Sequence, residues 1–577
     1  LPPSSGLFRL FVYAVRNPYF IDGSHLAQRG NGRMSSKYII VTGGVISGTG
    51  KGVSAASIGL LLKFRGHKIS LIKFDPYLNT NAGVLAPREH GECFLCDDGT
   101  ETDLDLGHYE RIAGISVSKN NICTSGTLHK ELIDEQEKGK YLGQTIQLIP
   151  HLTDKIQQRL LDLGKDHDVV IAEVGGTVGD AESFAFFEAI RQFKQKHKND
   201  VVVAMVAPIL WVNTIKEFKT KPLQNAVKCL QEHGLQLDVI FCRVDRPVPE
   251  KILQKVSNLA NVPRECIFDA PDVSSIYEVP LTFYDRHVDD LFVDLFHLNR
   301  SSCRIHKYRE VVEKYVNNHL DAVQIGVFGK YENCDEAYIS LKEALIHAGI
   351  ANDVKVEIKW IKAEELEKYK DNRGVGKFFD GLHGIIVPGG FDKRGAEGKI
   401  RAIQYVREKK IPFLGICLGL QCAVIEYARN VCRLDGANSI EFDVESPYPV
   451  IHYIPGQENQ EKKSGTMRLG AYDCELIKDS LAFELHGAKH ISERHRHRFE
   501  VNNEYLTTLE ENGLMASGKN PETGLVELME LSRNIHPYFI GTQAHPEFRS
   551  RLQEPSPLFK GLIKSAINFR DLMNSNK

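Results

Sequence analysis

From Tyr38 onward, short uninterrupted apolar runs alternate with stretches of helical periodicity. Tyr38-Ile39-Ile40-Val41-Thr42 reads as a buried strand, Val53 to Phe64 as a helix ending at Gly66, and Ile69-Ser70-Leu71-Ile72-Lys73-Phe74 as the next strand. Further apolar runs recur at Asp168–Val174, Val201–Ala207 and Leu237–Cys242. Strands that are apolar on both faces and alternate with helices predict a parallel sheet covered on both sides. A polar stretch at Asn299–Lys314, with Arg300, Arg304, His306 and Lys307, interrupts the pattern and reads as a link. The alternation restarts at Val323–Gly329, with a helix near Asp335–His347 and strands at Val354–Ile361, Gly384–Pro388 and Ile411–Ile416. The pattern therefore predicts two α/β domains with parallel sheets, residues 34–303 and 322–577, joined by a linker at 304–321. No internal repeat or low-complexity segment is present.

Composition narrows the class. A chain of 577 residues is too long for one core, and 42% apolar with 25% charged residues is ordinary globular material. The formal net charge of −3 gives no sign of nucleic acid or a membrane surface as partner. No apolar run approaches the roughly 18 residues that span a bilayer. The 12 cysteines lack dense pairing or repeated spacing, which fits reduced thiols in a cytoplasmic protein. Residues 1–33 stand apart: Arg9, Arg16, Arg29 and Arg33 face a single Asp22. That leader is expected to be disordered or expression-derived. A targeting segment and a structural extension are the other readings.

Two constellations carry chemistry. The first is the glycine-rich loop Gly43–Gly52, set between a strand and a helix. There, backbone N–H groups can close on phosphate oxygens and Lys51 can reach the outer ones. It departs from the regular phosphate-loop spacing: Val45 stands where a first Gly belongs, and Gly52 replaces the metal-binding hydroxyl. Carboxylates must then hold Mg²⁺. Asp105 and Glu173, expected at strand ends or on nearby loops, are the candidates. Lys216, Lys219, Lys221 and Lys228 surround Pro222, and Lys219-Thr220-Lys221-Pro222 reads as a loop that presents a lysine pair to phosphates.

The second constellation surrounds Cys417. Pro412–Gln421 places this thiol between a strand and a helix, with Gly415 and Gly419 permitting a tight elbow and the helix N-terminus favouring the thiolate. Gln543-Ala544-His545-Pro546-Glu547 supplies an imidazole and a carboxylate to orient it. The loop Pro388-Gly389-Gly390-Phe391 offers bare backbone N–H groups suited to an oxyanion.

Gly415-Ile416-Cys417-Leu418-Gly419 with His545-Pro546-Glu547 resembles class I glutamine amidotransferases, and residues 37–570 as a whole resemble CTP synthases. The likeness rests on Val41–Lys51, Lys73–Tyr77, Glu101–Arg111, Gly175–Asp180, Gly465–Gly470 and Glu493–Arg498. It implies a P-loop-like synthase (amidoligase) domain followed by a flavodoxin-like amidotransferase domain. ATP would activate the uracil O4 of UTP, and ammonia freed from glutamine would displace phosphate to give CTP. The resemblance assigns Cys417, His545 and Glu547 to a catalytic triad. It assigns Ser47, Gly48, Thr49, Gly50, Lys51, Gly52, Lys73 and Asp105 to ATP, and Asp105 with Glu173 to Mg²⁺. Ser47, Gln147, Glu182, Lys219, Lys221, Gln224 and Lys228 fall to UTP or product CTP, and His90 to the ammonia path. Gly389, Gly390, Leu418, Gln421, Glu441 and Arg498 fall to glutamine. It further implies no organic prosthetic group, GTP as effector, CTP as feedback inhibitor, and a homotetramer able to form filaments. Two other readings stand beside this one: an amidoligase of the cobyrinic acid amide synthase kind, and a non-catalytic scaffold or filament descendant.

Overall fold

The computed structural model describes residues 36–85, 91–317, 320–330, 335–369, 372–391, 393–454 and 467–575. The leader 1–33, His90, Gly465 and Thr466 lie outside the described residues. In the first half, β1 (Lys37–Gly43) leads into α1 (Lys51–Phe64), followed by β2 (Ile69–Asp75). A small hairpin pairs Phe94–Leu95 with Glu101–Thr102 and runs into α2 (Leu104–His108). The strands β3 (Ile122–Thr124), β4 (Val169–Val174) and β5 (Val201–Pro208) follow, then α3 (Lys221–Glu232), β6 (Val239–Val244) and β7 (Ile267–Pro271).

These strands form one sheet in the order β7-β6-β5-β1-β4-β2-β3, with every pairing parallel. The residue alternation explains why it is covered on both faces. Ile39 and Val41 enter one core while Tyr38 and Ile40 enter the other, and all four are buried. Because β1 lies between β4 and β5, the strand order reverses there, and the loop after β1 opens at the carboxyl edge where α/β sheets bind ligands.

The stretch expected as a polar link is ordered as α4 (His306–Asn317). Ile305, Tyr308 and Val312 recur at helical spacing and are buried in the first core, while the basic residues between them stay outside. Charge concealed that stripe. The second half runs through β8 (Ala322–Gly329), α5 (Ile339–Ala351), β9 (Lys355–Lys362), β10 (Gly384–Val387), α6 (Ala396–Lys409), β11 (Phe413–Ile416) and α7 (Leu418–Asn430). It continues through β12 (Arg468–Leu476), β13 (His490–His497), β14 (Leu514–Lys519), β15 (Val526–Leu531) and β16 (Phe539–Thr542) to α8 (Pro557–Ser575). Its sheet order is β9-β8-β10-β11-β16-β15-β14-β12-β13. The first five are parallel, in the doubly wound order seen in flavodoxin-like sheets. The last four extend the sheet antiparallel, an extension that the alternation of the earlier strands did not foretell. Among the described residues, no helix is long and apolar enough to cross a membrane.

The two halves share packing. Phe548 and Leu552, from the far end of the chain, are buried in the same cluster as Ile39 and Leu61. Tyr308 is 2% exposed and its hydroxyl donates to the Tyr277 carbonyl at 3.0 Å. Tyr308→Ala is expected to cost about 3–5 kcal/mol by leaving a cavity under α4. The check is a fall in the melting temperature of the purified chain.

Candidate functional site

At the first site, β1 ends in the glycine-rich loop and α1 begins at Lys51. Gly48 and Gly50 have φ of 70° and 82°, the left-handed region in which a side chain is strained, although nothing crowds either Cα. Ser47 and Gly48 are exposed at the rim, and Thr49 is buried behind them. Lys51 is buried and donates to the Gly176 carbonyl at 3.1 Å, which ties this loop to the one after β4.

Beneath the loop lies a compact ionic cluster. Lys73 donates to Glu173 at 2.8 Å and also to Asp105, and stands 3.9 Å from Asp75. Glu173 further accepts from the Tyr109 hydroxyl. Glu173 lies within β4, as the apolar run ending in an acid suggested, whereas Asp105 sits in the first turn of α2. A Cβ added at Gly52 would come 2.6 Å from Asp105 Oδ1 and 3.2 Å from Glu173 Oε2. The carboxylates therefore occupy the space that a loop hydroxyl would need, which is why Gly stands at 52. Two hard oxygen donors converging under this glycine-rich loop fit a small divalent cation. Burial disfavours the Lys73 charge, but Asp105 and Glu173 outweigh it and hold its pKa well above the ordinary value. Burial, with Asp105 beside it, raises the Glu173 carboxyl.

Beside the loop is a cavity of about 290 Å³ lined by Thr49, Ser54, Arg243, Asp272, Ile276 and Phe283. Arg243 donates to Asp272 at 2.5 Å and to the Ala270 carbonyl at 2.8 Å. The sequence reading missed Arg243 and Asp272. The available signal was a lone arginine in the otherwise apolar β6.

The lysine segment differs from expectation. Lys219 ends a short strand, Glu217–Lys219, and Lys221 opens α3 with Pro222 in the first turn. Proline is tolerated there because that N–H has no helical acceptor to lose. Lys219 pairs with Glu217 at 2.8 Å, Lys228 lies 3.8 Å from Glu232, and Gln224 donates to Thr220 at 2.7 Å. Gln147 and Glu182 are exposed. Among the described residues, no hydrogen bond or ion pair joins either of them to these lysines.

The second site is built at the carboxyl edge of the second sheet. Cys417 follows β11 and caps α7 with φ 51° and ψ −103°, a strained conformation for a side-chain-bearing residue. Its N–H donates to the Thr542 carbonyl at 2.7 Å, which holds the turn. The elbow is possible because Gly415 and Gly419 face each other, with a Cβ on Gly415 meeting the Gly419 carbonyl carbon at 2.8 Å. A Cβ on Gly419 would overlap the Val387 carbonyl. His545 follows β16 and stands beside Cys417, while its Nδ1 lies 2.8 Å from Glu547 Oε1. All three side chains are buried. Gly389 closes on them, since a Cβ there would sit 2.7 Å from His545 Cε1 and 3.5 Å from Cys417 Cβ.

Two of the remaining predicted residues lie on α7, just past the elbow. Leu418 and Gln421 are buried, and the Gln421 amide donates to the Phe499 carbonyl at 2.8 Å and to Gln543 at 3.2 Å. Gln543 in turn donates to Cys417 Sγ at 3.6 Å. Glu441 and Arg498 are half-buried. Sequence reasoning assigned no role to Gln543 or to Lys399. Burial pushes the Lys399 amine down to about 8, and its Nζ stands 3.7 Å from where a Gly390 Cβ would lie.

Burial opposes charge on His545, but Glu547 and then Cys417 outweigh it and raise its pKa to about 10. The geometry thus favours an imidazolium beside a sulfur nucleophile at neutral pH, an arrangement suited to attack on a carbonyl. Glu547→Gln and Cys417→Ala each remove a neighbour that raises the His545 pKa. Each is expected to lower the titration midpoint of the His545 ring proton, followed by NMR, from near 10 toward the ordinary histidine value.

Residues 37–298 match the family described as CTP synthase N-terminus, and residues 334–565 match glutamine amidotransferase class-I. The chain is 48% identical over 534 residues to CTP synthase from Methanocaldococcus jannaschii, covering 92% of this chain and 98% of that one. It is 49% identical over 534 residues to CTP synthase from Methanococcus maripaludis, with 92% and 99% covered. Among solved structures it is similar to the glutaminase domain of Trypanosoma brucei CTPS with bound acivicin. That match has 35% identity, covers 43% of this chain and 94% of that one, and has a TM-score of 0.40. Near half-identity that runs almost from end to end of these relatives takes in both the phosphate loop and the cysteine elbow, so this chain belongs to the CTP synthase family.

Proposed function

We propose that this chain converts UTP, ATP, glutamine and water to CTP, ADP, phosphate and glutamate, with residues 34–303 as the synthase domain, 304–321 as the link and 322–577 as the amidotransferase domain. One observation carries the reading. A single chain holds both the buried Cys417–His545–Glu547 set and the phosphate loop closed over Asp105 and Glu173.

In the second half, Cys417 Sγ attacks the glutamine carboxamide carbon. The oxyanion rests on the backbone N–H groups of Gly389 and Gly390, Leu418 lines the glutamine site, and His545 passes its proton to the departing ammonia. Glu547 holds the imidazole in the orientation this requires. Gln421, Glu441 and Arg498 line the glutamine pocket. Water then releases glutamate from the thioester.

In the first half, the loop from Ser47 to Gly52 cradles the ATP phosphates, Lys51 addresses the outer ones, and the adenosine fills the cavity beside Arg243 and Asp272. Asp105 and Glu173 would hold Mg²⁺ with the phosphate oxygens, and that ion, when bound, neutralises charge on the transferring phosphoryl group. Lys73 keeps the two carboxylates in register. The γ-phosphoryl passes to uracil O4, which turns a poor leaving group into phosphate, and ammonia displaces it at C4. His90 belongs to the ammonia path. Lys219, Lys221, Gln224, Lys228, Gln147 and Glu182 address UTP or product CTP. Gln147, Glu182, Lys221 and Lys228 are exposed in the single chain, which suits a site completed by another copy in a homotetramer. GTP as activator, CTP as feedback inhibitor, filaments and a cytoplasmic setting complete the proposal.

The test follows CTP absorbance with ATP, UTP, Mg²⁺ and either glutamine or ammonium chloride. Wild type is expected to use both nitrogen sources, and Cys417→Ala ammonium alone. Asp105→Asn is expected to lose at least about a hundredfold with both sources, because both require the activated uracil. If neither source yields CTP while glutamine is still hydrolysed, UTP is the wrong acceptor and the reading falls.

A further inference from the structure

Strand β13 touches the triad with its backbone and the other half of the molecule with its side chains. The Arg494 carbonyl accepts the His545 N–H at 2.7 Å, and the Arg496 carbonyl lies 4.0 Å from Cys417 Sγ. Both side chains then leave the second half. Arg494 is 2% exposed, and its two terminal nitrogens donate to the two oxygens of Glu110 at 3.0 Å each. Its Nε donates to Asp97 at 2.6 Å. Arg496 Nε donates to Glu101 at 2.7 Å.

Glu101 and Glu110 bracket Asp105 on one continuous segment, the hairpin strand Glu101–Thr102 and the helical turns that follow it. Asp105 in turn closes on Lys73 beneath the phosphate loop. A forked arginine–carboxylate pair fixes direction as well as distance, and a buried one is stiff because breaking it strands a charge. The segment holding Asp105 is therefore clamped to the strand whose backbone accepts the His545 N–H.

We propose that Arg494 is a positioning residue for glutamine hydrolysis: through Glu110 it sets β13 against the Asp105 segment, so that filling the phosphate site is felt at His545. This deepens the proposed function and rests on it. The claim is a coupling between two sites, and it is tested as one.

Glutamate release is measured at constant GTP with and without ATP, UTP and Mg²⁺, beside CTP formation from ammonium chloride. The proteins are wild type, Arg494→Met, Glu110→Gln and Arg551→Met. Arg551 contacts the same Glu110 but lies off the strand, so its variant controls for simple loss of an interface bond. In Arg494→Met and Glu110→Gln, stimulation of glutamate release by the nucleotides should vanish. Glutamine-dependent CTP formation should fall at least about tenfold, in kcat more than KM, with the ammonium reaction within about twofold of wild type. Arg551→Met should keep its stimulation. Stimulation that survives in Glu110→Gln, is lost equally in Arg551→Met, or is absent from wild type overturns the proposal. Should Arg494→Met fail to fold, Glu110→Gln decides alone. Absence of CTP from ammonium in wild type would instead overturn the reading of function.

Discussion

Glu110 is buried between two arginines of the other half, Arg494 and Arg551, and this contact ties the two halves together. A carboxylate taken out of water is costly unless its lone pairs are filled, and here both oxygens are. The seam around it has the same character. Glu92 accepts from the Ser340 backbone N–H and hydroxyl, Tyr277 donates to Glu343, and the Tyr277 hydroxyl also meets His347, whose other nitrogen faces Ser550. Burial raises the Glu92 carboxyl to about 7 and depresses His347. An interface this polar tolerates one docking geometry, because any slip leaves charges and hydroxyls unpaired. In the proposed reaction, ammonia must pass from one half to the other without meeting water. A joint that cannot slide keeps the two sites in one relation.

The two sites use burial in opposite ways. At Lys73, burial opposes the charge but the surrounding carboxylates overwhelm it. At Lys399, burial prevails over the weaker pull of Glu441 and its other neighbours, and the amine is driven to about 8. His545 resembles the first case, since Glu547 and the Cys417 sulfur reverse the effect of an apolar setting. The deciding quantity is the number of opposite charges packed within reach. That count is set by how strands and turns converge, not by the residue's own identity.

Backbone strain marks the proposed nucleophile. Cys417 holds a positive φ, and it persists because Gly415 and Gly419 let strand, turn and helix approach within contact distance. The β1 loop shows a milder form, with Gly48 and Gly50 in the left-handed region and space around them. In both places a parallel strand stops, the chain turns sharply, and a helix N-terminus points at the site. Two different chemistries therefore rest on one local solution.

The sequence alone determined the alternation of buried strand and helix, the loop before Lys51, the elbow at Cys417 and the His-Pro-Glu turn, because each is written in adjacent residues whose sterics and periodicity act locally. It also showed that Gly52 forgoes a hydroxyl, and so called for carboxylates. What it could not show were relations between distant segments: Lys73 lodged between Asp105 and Glu173, the antiparallel extension of the second sheet, and the α4 stripe beneath a basic surface. Arg243 and Asp272 beside the phosphate loop, and the clamp from β13 to the Asp105 segment, belong to the same class. Those are decided only when strands far apart in the chain are brought into register, since charge pairing and burial act through space and leave no periodic mark on the residues that take part.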